Sequence, residues 1–213
     1  MAGVVLAAGA STRMRENKLL LRLDGESLLR RVVRRALAAE LDPVIVVLGH
    51  EAKRAERELS GLACRAILNP DHGSGQQTSF RTGIAAVPDE APAAVILLAD
   101  MPHVTEEMIS ALVSRYRETT APLVVSQYAG VHAPPTLYDR SLFSEIREMT
   151  GDGCGRQIVP RHLGEAEAVA WPADRLADLD TPEQVRGSGL DFSDFGPPGA
   201  RVESLPEIRK MKT

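Results

Sequence analysis

Short apolar runs punctuate the chain at Val4–Ala8, Val44–Leu48, Ala66–Leu68, Ala94–Ala99 and Leu123–Ser126. They show little period-two alternation, which is how strands read when both faces of a sheet are covered. Amphipathic stretches lie between them. The clearest begins near Ser27, with Leu28, Leu29, Val32, Val33, Ala36 and Leu37 on one face and Arg30, Arg31, Arg34 and Arg35 on the other. The arginine face is expected to be solvated. A second helix is expected from Thr105 as N-cap, with Glu106 and Glu107 in its first turn and Met108, Ile109, Leu112, Val113 and Tyr116 turned inward. A third is expected from Ser141, burying Leu142, Phe143, Ile146 and Met149, with Gly151 and Gly153 able to stop it. Strand, helix, strand in repetition predicts crossovers, a mainly parallel sheet and a three-layer α/β/α sandwich.

At 213 residues the chain can build one domain with a sizeable core. The pattern places that domain at residues 1–187. From residue 188 to 213 Gly, Pro and Ser become frequent, and this segment reads as a C-terminal tail. The formal net charge of −4 and the scarcity of aromatics exclude a general nucleic-acid binder with stacking platforms. The apolar runs are too short to span a membrane. Two cysteines, Cys64 and Cys154, cannot build a disulfide framework and fit a reducing cytoplasm.

In open α/β sheets, ligands sit beyond the carboxyl ends of the strands. After the first run come Gly9, Ala10, Ser11, Thr12 and Arg13, then Lys18 five positions further on. Small residues allow backbone N–H groups close to a phosphate, and the two cations neutralise it. A solvated basic turn accounts for the same residues equally well. The fourth run ends at Asp100, a carboxylate at a strand tip suited to a divalent cation. Asp178 and Asp180 offer a second carboxylate, although Thr181, Pro182 and Gln184 also read as a helix start. The segment from Gly73 to Ser79 is a polar loop leading into a helix. The five histidines show no paired ligand spacing and read as structural or surface residues. A dinucleotide fingerprint and a Gly-x-Ser-x-Gly elbow are both absent from the sequence.

With those residues in view, the chain resembles the molybdopterin nucleotidyltransferase family, in its molybdenum cofactor cytidylyltransferase branch, over most of residues 4–186. The resemblance rests first on Leu6-Ala7-Ala8-Gly9-x-Ser11-x-Arg13-Met14 followed by Lys18-Leu19-Leu20-Leu21. Guanylyl-transferring relatives carry Leu-Ala-Gly-Gly in place of Leu6-Ala7-Ala8-Gly9. Asn69-Pro70 with Gly75 and Ser79, then Leu98-x-Asp100-Met101-Pro102, then Leu179-Asp180-Thr181-Pro182-Glu183 follow in the family's order. Pro135, Leu137, Tyr138 and Arg140 with Gly151, Asp152, Gly153, Gly155 and Arg156 resemble its acceptor-side segment. Arg15 stands where the family carries Gly, Gln76 where it carries Met, and His132-Ala133-Pro134-Pro135 where it carries Arg-Gly-His-Pro.

The resemblance implies a Rossmann-like, GT-A-like nucleotidyltransferase fold. It implies Mg²⁺-dependent transfer of CMP from CTP to the phosphate of molybdopterin or the molybdenum cofactor, releasing pyrophosphate. Arg13, Lys18 and Asp100 would then be catalytic. Leu6, Ala7, Ala8, Gly9, Ser11, Arg13, Lys18, Gly75, Ser79 and Asp100 would bind the nucleotide. Asp100 and Asp180 would hold the metal, and Pro135, Asp152 and Arg156 would meet the acceptor. A molybdoenzyme or its chaperone would be the protein partner. Three readings compete: a sugar or alditol phosphate acceptor, an NAD(P)-binding oxidoreductase, and a non-catalytic pterin carrier.

Overall fold

A computed structural model describes residues 1–10, 17–150 and 154–176. The expected tail and the Asp178–Gln184 motif lie outside the described residues. In chain order the elements begin with β1 (Ala2–Ala7), a 3₁₀ turn (Lys18–Leu20) and a two-stranded ribbon, β2 (Arg22–Leu23) with β3 (Glu26–Ser27). Then follow α1 (Leu28–Ala38), β4 (Val44–Leu48), α2 (Ala52–Glu58), β5 (Cys64–Leu68), α3 (Gln76–Ala85) and β6 (Ala93–Leu98). The described chain continues through α4 (Glu106–Thr119), β7 (Leu123–Tyr128), β8 (Val131–Asp139), α5 (Phe143–Glu148), α6 (Cys154–His162) and β9 (Ala166–Trp171).

Among the described residues seven strands form one sheet in the order β5-β4-β1-β6-β8-β7-β9. The chain leaves β1 toward β4 and β5, then returns to β1's other side as β6, all in parallel register. The switch point is therefore between β1 and β6, where an open α/β sheet leaves its crevice. The core has two halves. Val5, Ala7, Val46, Leu97 and Val124 face α1, α2 and α4 on one side, while Val4, Leu6, Val47, Ile96 and Val125 face α3, α5 and α6 on the other. The expected α/β/α sandwich is thus the observed architecture, and the unbroken apolar runs are its doubly covered strands. Among the described residues no helix is long and apolar enough to cross a membrane.

The cap expected at Thr105 forms, and Ser27, where the first helix was expected to begin, caps it in the same way. Ser27 Oγ accepts from Arg30 N–H at 3.3 Å, and Thr105 Oγ1 from Met108 N–H at 3.4 Å. The third helix is shorter than expected. A 3₁₀ turn covers Arg140–Leu142, α5 ends at Glu148, and Met149 caps it before either glycine is reached. The arginine face of α1 is not simply solvated. Arg30 Nη1 donates to the carbonyls of Glu58 (2.7 Å) and Ser60 (2.9 Å), Arg31 Nη2 to Leu23 (2.8 Å) and Asp24 (2.7 Å), and Arg34 pairs with Glu26. Guanidinium forks reach across gaps that backbone groups cannot close.

β8 is antiparallel to both neighbours. The register passes from Val125 opposite Thr136 to Ser126 opposite Ala133, so Pro134 and Pro135 fall outside the ladder. Proline has no N–H to give a ladder, and a bulge accommodates it. Ser126 Oγ donates to Pro135 O at 2.7 Å and Tyr128 Oη to Pro134 O at 3.0 Å, which satisfies the two carbonyls.

Close approach of α3 to β1 depends on Gly83, because a Cβ there would lie 2.4 Å from Val4 Cγ1. Gly83→Ala should destabilise the domain by about 1–3 kcal/mol through overpacking. Gly164→Ala, at a position with nothing within 4 Å of the added carbon, should stay within about 0.5 kcal/mol. Urea denaturation of the two variants checks the difference.

Candidate functional site

Parallel pairing of Leu6 with Leu98 places the ends of β1 and β6 side by side. The chain beyond β1 (Ala8, Gly9, Ala10) and the chain beyond β6 (Ala99, Asp100) therefore leave the sheet together. The 3₁₀ turn at Lys18 closes over them. Asn17 Oδ1 caps that turn by accepting from Leu19 N–H at 3.2 Å, and Leu19 sinks into the core. Lys18 Nζ thereby reaches Asp100 Oδ2 at 2.6 Å, and both side chains are largely sheltered, 14% and 20% exposed. Shelter of this kind strengthens an ion pair relative to one in open water.

The pair stands at the mouth of a cleft of about 440 Å³. Its lip is Ala7, Ala8, Gly9 and Ala10, and its far wall is His72, Gly73, Gly75, Gln76 and Ser79. Small residues on one side let a ligand's phosphates come close to backbone N–H groups. The far wall is anchored by Asn69, which is 1% exposed. Its Nδ2 donates to Thr78 Oγ1 (2.8 Å) and Ser79 Oγ (2.9 Å), and its Oδ1 accepts from Asp71 N–H (3.0 Å). This one side chain fixes the first turn of α3 against the loop after β5. At the inner corner Gly49 allows the two walls to meet. A Cβ there would lie 2.6 Å from His72 Cβ and 2.8 Å from Ala8 Cβ.

The structure brings Leu6, Ala7, Ala8, Gly9, Lys18, Gly75, Ser79 and Asp100 to this one cleft. Ser11, Arg13, Asp152, Asp178 and Asp180 lie outside the described residues, as does the side chain of Arg156. Pro135 is buried in β8 with its carbonyl held by Ser126, and it is not among the residues lining the cleft. Arg140, from the same sequence segment, serves the far end of β8. Its Nε donates to Ala91 O at 2.7 Å, its Nη2 donates to Pro88 O, and its guanidinium lies 5.0 Å from the Phe143 ring centre.

His72, read from the sequence as structural or surface, is half-buried and lines the cleft wall. Its signal was positional: it follows the end of β5 by four residues, and Asp100 follows the end of β6 by two. Gln76 was legible only as part of a polar loop, yet it opens α3 and lines the same wall.

Among the described residues no group of three or more His, Cys, Asp or Glu side chains could hold a metal. Asp100 is a single sheltered carboxylate. That fits a cation such as Mg²⁺, which keeps several waters and takes phosphate oxygens as ligands, and does not fit a closed structural zinc site.

The profile of the MobA-like NTP transferase domain matches residues 3–167. The chain belongs to that family. The family's domain spans β1 through the start of β9 and contains every described residue of the cleft. The purine catabolism protein PucB of Bacillus subtilis is 33% identical over 194 residues, covering 85% of this chain and 92% of that protein. A probable molybdenum cofactor guanylyltransferase of Mycobacterium avium is 27% identical, covering 87% and 93%. The crystal structure of Rv0371c from Mycobacterium tuberculosis superposes with a TM-score of 0.77 at 26% identity, covering 87% of this chain and 95% of that one, and the same protein is known as a manganese complex. This MobA-like chain is therefore an NTP-dependent nucleotidyltransferase by family, with its crevice at the expected switch point.

Asn69→Ala removes three hydrogen bonds from a buried position and leaves Asp71 N–H without that acceptor. Stability should fall by about 1–3 kcal/mol, and the first turn of α3 should exchange its amide protons faster. Denaturation together with hydrogen exchange over 71–79 checks both.

Proposed function

We propose that this protein transfers CMP from CTP to the phosphate of molybdopterin or the molybdenum cofactor, with release of pyrophosphate and with Mg²⁺ as cofactor. The observation that carries the reading is the Lys18–Asp100 pair, 2.6 Å apart at the adjoining ends of β1 and β6. A cation and a carboxylate at one cleft mouth are what a polyanionic triphosphate with its divalent ion requires. Asp100 would hold the ion, with Asp180 or Asp178 as second ligand. When bound, the ion would supply charge neutralisation for the triphosphate.

The remaining work falls to the chain's own groups. Lys18 and Arg13 neutralise the triphosphate and then the departing pyrophosphate. Backbone amides of Ala8, Gly9 and Ala10, with Ser11, cradle phosphate oxygens. Gly75 and Ser79 border the base. The acceptor's phosphate monoester is an anion near neutral pH, so it needs no base to attack. Its oxygen forms a bond to the α-phosphorus, the bond from that phosphorus to the bridging oxygen of pyrophosphate breaks, and the configuration inverts. Positioning and electrostatics supply the rate, as expected where two polyanions must meet.

Choice of a pyrimidine is supported by Ala8. Its methyl stands where guanylyl-transferring relatives carry glycine, at the inner corner beside Gly49. The acceptor is supported by the sequence resemblance and by one relative, the probable molybdenum cofactor guanylyltransferase of Mycobacterium avium. Asp152 and Arg156 are proposed to meet it. Delivery of the product to a molybdoenzyme or its chaperone in the cytoplasm completes the reading.

Pyrophosphate release is measured with CTP, GTP, ATP and UTP and Mg²⁺, with and without molybdopterin. Release with CTP that requires the pterin is expected. Release with another nucleotide would overturn the base assignment, and release with sugar phosphates alone would overturn the acceptor. Asp100→Ala should lower turnover by roughly 10²- to 10³-fold or more; a near-normal rate would remove Asp100 from the scheme.

A further inference from the structure

Arg35 lies in the last turn of α1, beyond Arg31 and Arg34, which engage the ribbon. Its Nη1 donates to the carbonyl of Pro102 at 2.6 Å and also to the carbonyl of Val104. Both acceptors belong to the segment that leaves Asp100 and leads into α4. That segment holds itself weakly. Met101 N–H to Leu98 O and Val104 N–H to Met101 O are each 3.4 Å, the long end of the hydrogen-bond range. Burial pushes the Arg35 guanidinium below its ordinary value, and Arg31 and Arg34 add to this. A cation kept in such a place, with carbonyl oxygens as acceptors, is costly unless the contacts it makes are needed.

The other end of α1 is tied to the lysine. Leu28 N–H donates to Leu21 O at 3.0 Å, Leu21 N–H to Lys18 O at 3.1 Å, and Leu19 packs in the same core cluster as Leu29. One helix thus carries both members of the ion pair: its start braces the Lys18 turn, and Arg35 near its end braces the turn that presents Asp100.

We infer that Arg35 is a positioning residue for the cation site, clamping the Pro102–Val104 backbone so that Asp100 is presented to a nucleotide-bound divalent ion. The inference rests on the reading of Asp100 as the ion's ligand. Residues that orient a metal ligand change affinity for the metal when removed, whereas residues that only stabilise a fold change stability alone.

Arg30 supplies a matched control. It lies on the same helix and also donates to two backbone carbonyls, those of Glu58 and Ser60, but at the end of α2 and away from Asp100. Mn²⁺ affinity in the presence of CTP is measured from the electron paramagnetic resonance of the free ion, beside thermal denaturation, for wild type, R35M, R35K, R30M and D100A. R35M should weaken Mn²⁺ binding roughly 10- to 100-fold, R35K should recover part of it through one carbonyl contact, and R30M should lower the melting temperature while binding Mn²⁺ as wild type does. Equal Mn²⁺ affinity in R35M and R30M, with binding lost in D100A, overturns the role of Arg35 and leaves Asp100 in place. Wild-type affinity in D100A overturns the reading of Asp100 and the inference with it. Should R35M not fold, R35K decides: affinity between wild type and D100A supports the clamp, and affinity equal to wild type overturns it.

Discussion

Parallel pairing of β1 with β6 is the constraint on which the remainder of this molecule depends. Each strand is flanked on both sides, so neither can slip without breaking two ladders and turning its buried side chains to the wrong face. The register that pairs Leu6 with Leu98 sets Ala8 and Gly9 beside Ala99 and Asp100. Everything chemical in the cleft is measured from that step. Gly83 contributes by letting α3 lie directly on Val4. The same helix then delivers Gly75, Gln76 and Ser79 to the opposite wall.

A scaffold of this kind fixes strand ends well and connecting segments poorly, because segments beyond the strands have fewer ladder bonds. The protein compensates with side chains that bond to backbone. Asn69 joins the loop after β5 to α3, Asn17 caps the turn carrying Lys18, and Ser126 and Tyr128 hold the two carbonyls that the Pro134–Pro135 bulge leaves out of the ladder. The arginines of α1 act in the same way at longer range. Their guanidinium groups reach Glu58, Ser60, Leu23, Pro102 and Val104, so a helix surface that looks merely charged organises the chain around it.

The Lys18–Asp100 pair gives this cleft its electrostatic character. Under the proposed function these two charges, 2.6 Å apart in a sheltered place, would exchange partners, the lysine toward phosphate oxygens and the carboxylate toward a divalent ion. That exchange suits a reaction in which one anion must be brought onto another, since the main obstacle there is repulsion rather than proton transfer.

Legible in the sequence alone were the α/β/α class, five of the strands, helices beginning near Ser27 and at the Thr105 cap, and the residues that follow β1 and β6. These are local matters: unbroken apolar runs, helical periodicity and cap chemistry act within a few residues of each other. β9 was missed because, at an edge and only partly buried, it reads as small alanines alternating with Glu167, Val169 and Trp171, with no unbroken apolar run. β8 was missed because two prolines argue against a strand, and the hydroxyls of Ser126 and Tyr128, on the paired strand β7, are what satisfy the carbonyls at the bulge. Arg35 was misread as solvated, and the cleft position of His72 was not legible, for the same reason. Whether a lone histidine lines a cleft, or an arginine on a helix meets water or a carbonyl, depends on what another segment places opposite it. Only the tertiary structure decides that, because the partner is chosen by the packing of layers and not by spacing along the chain.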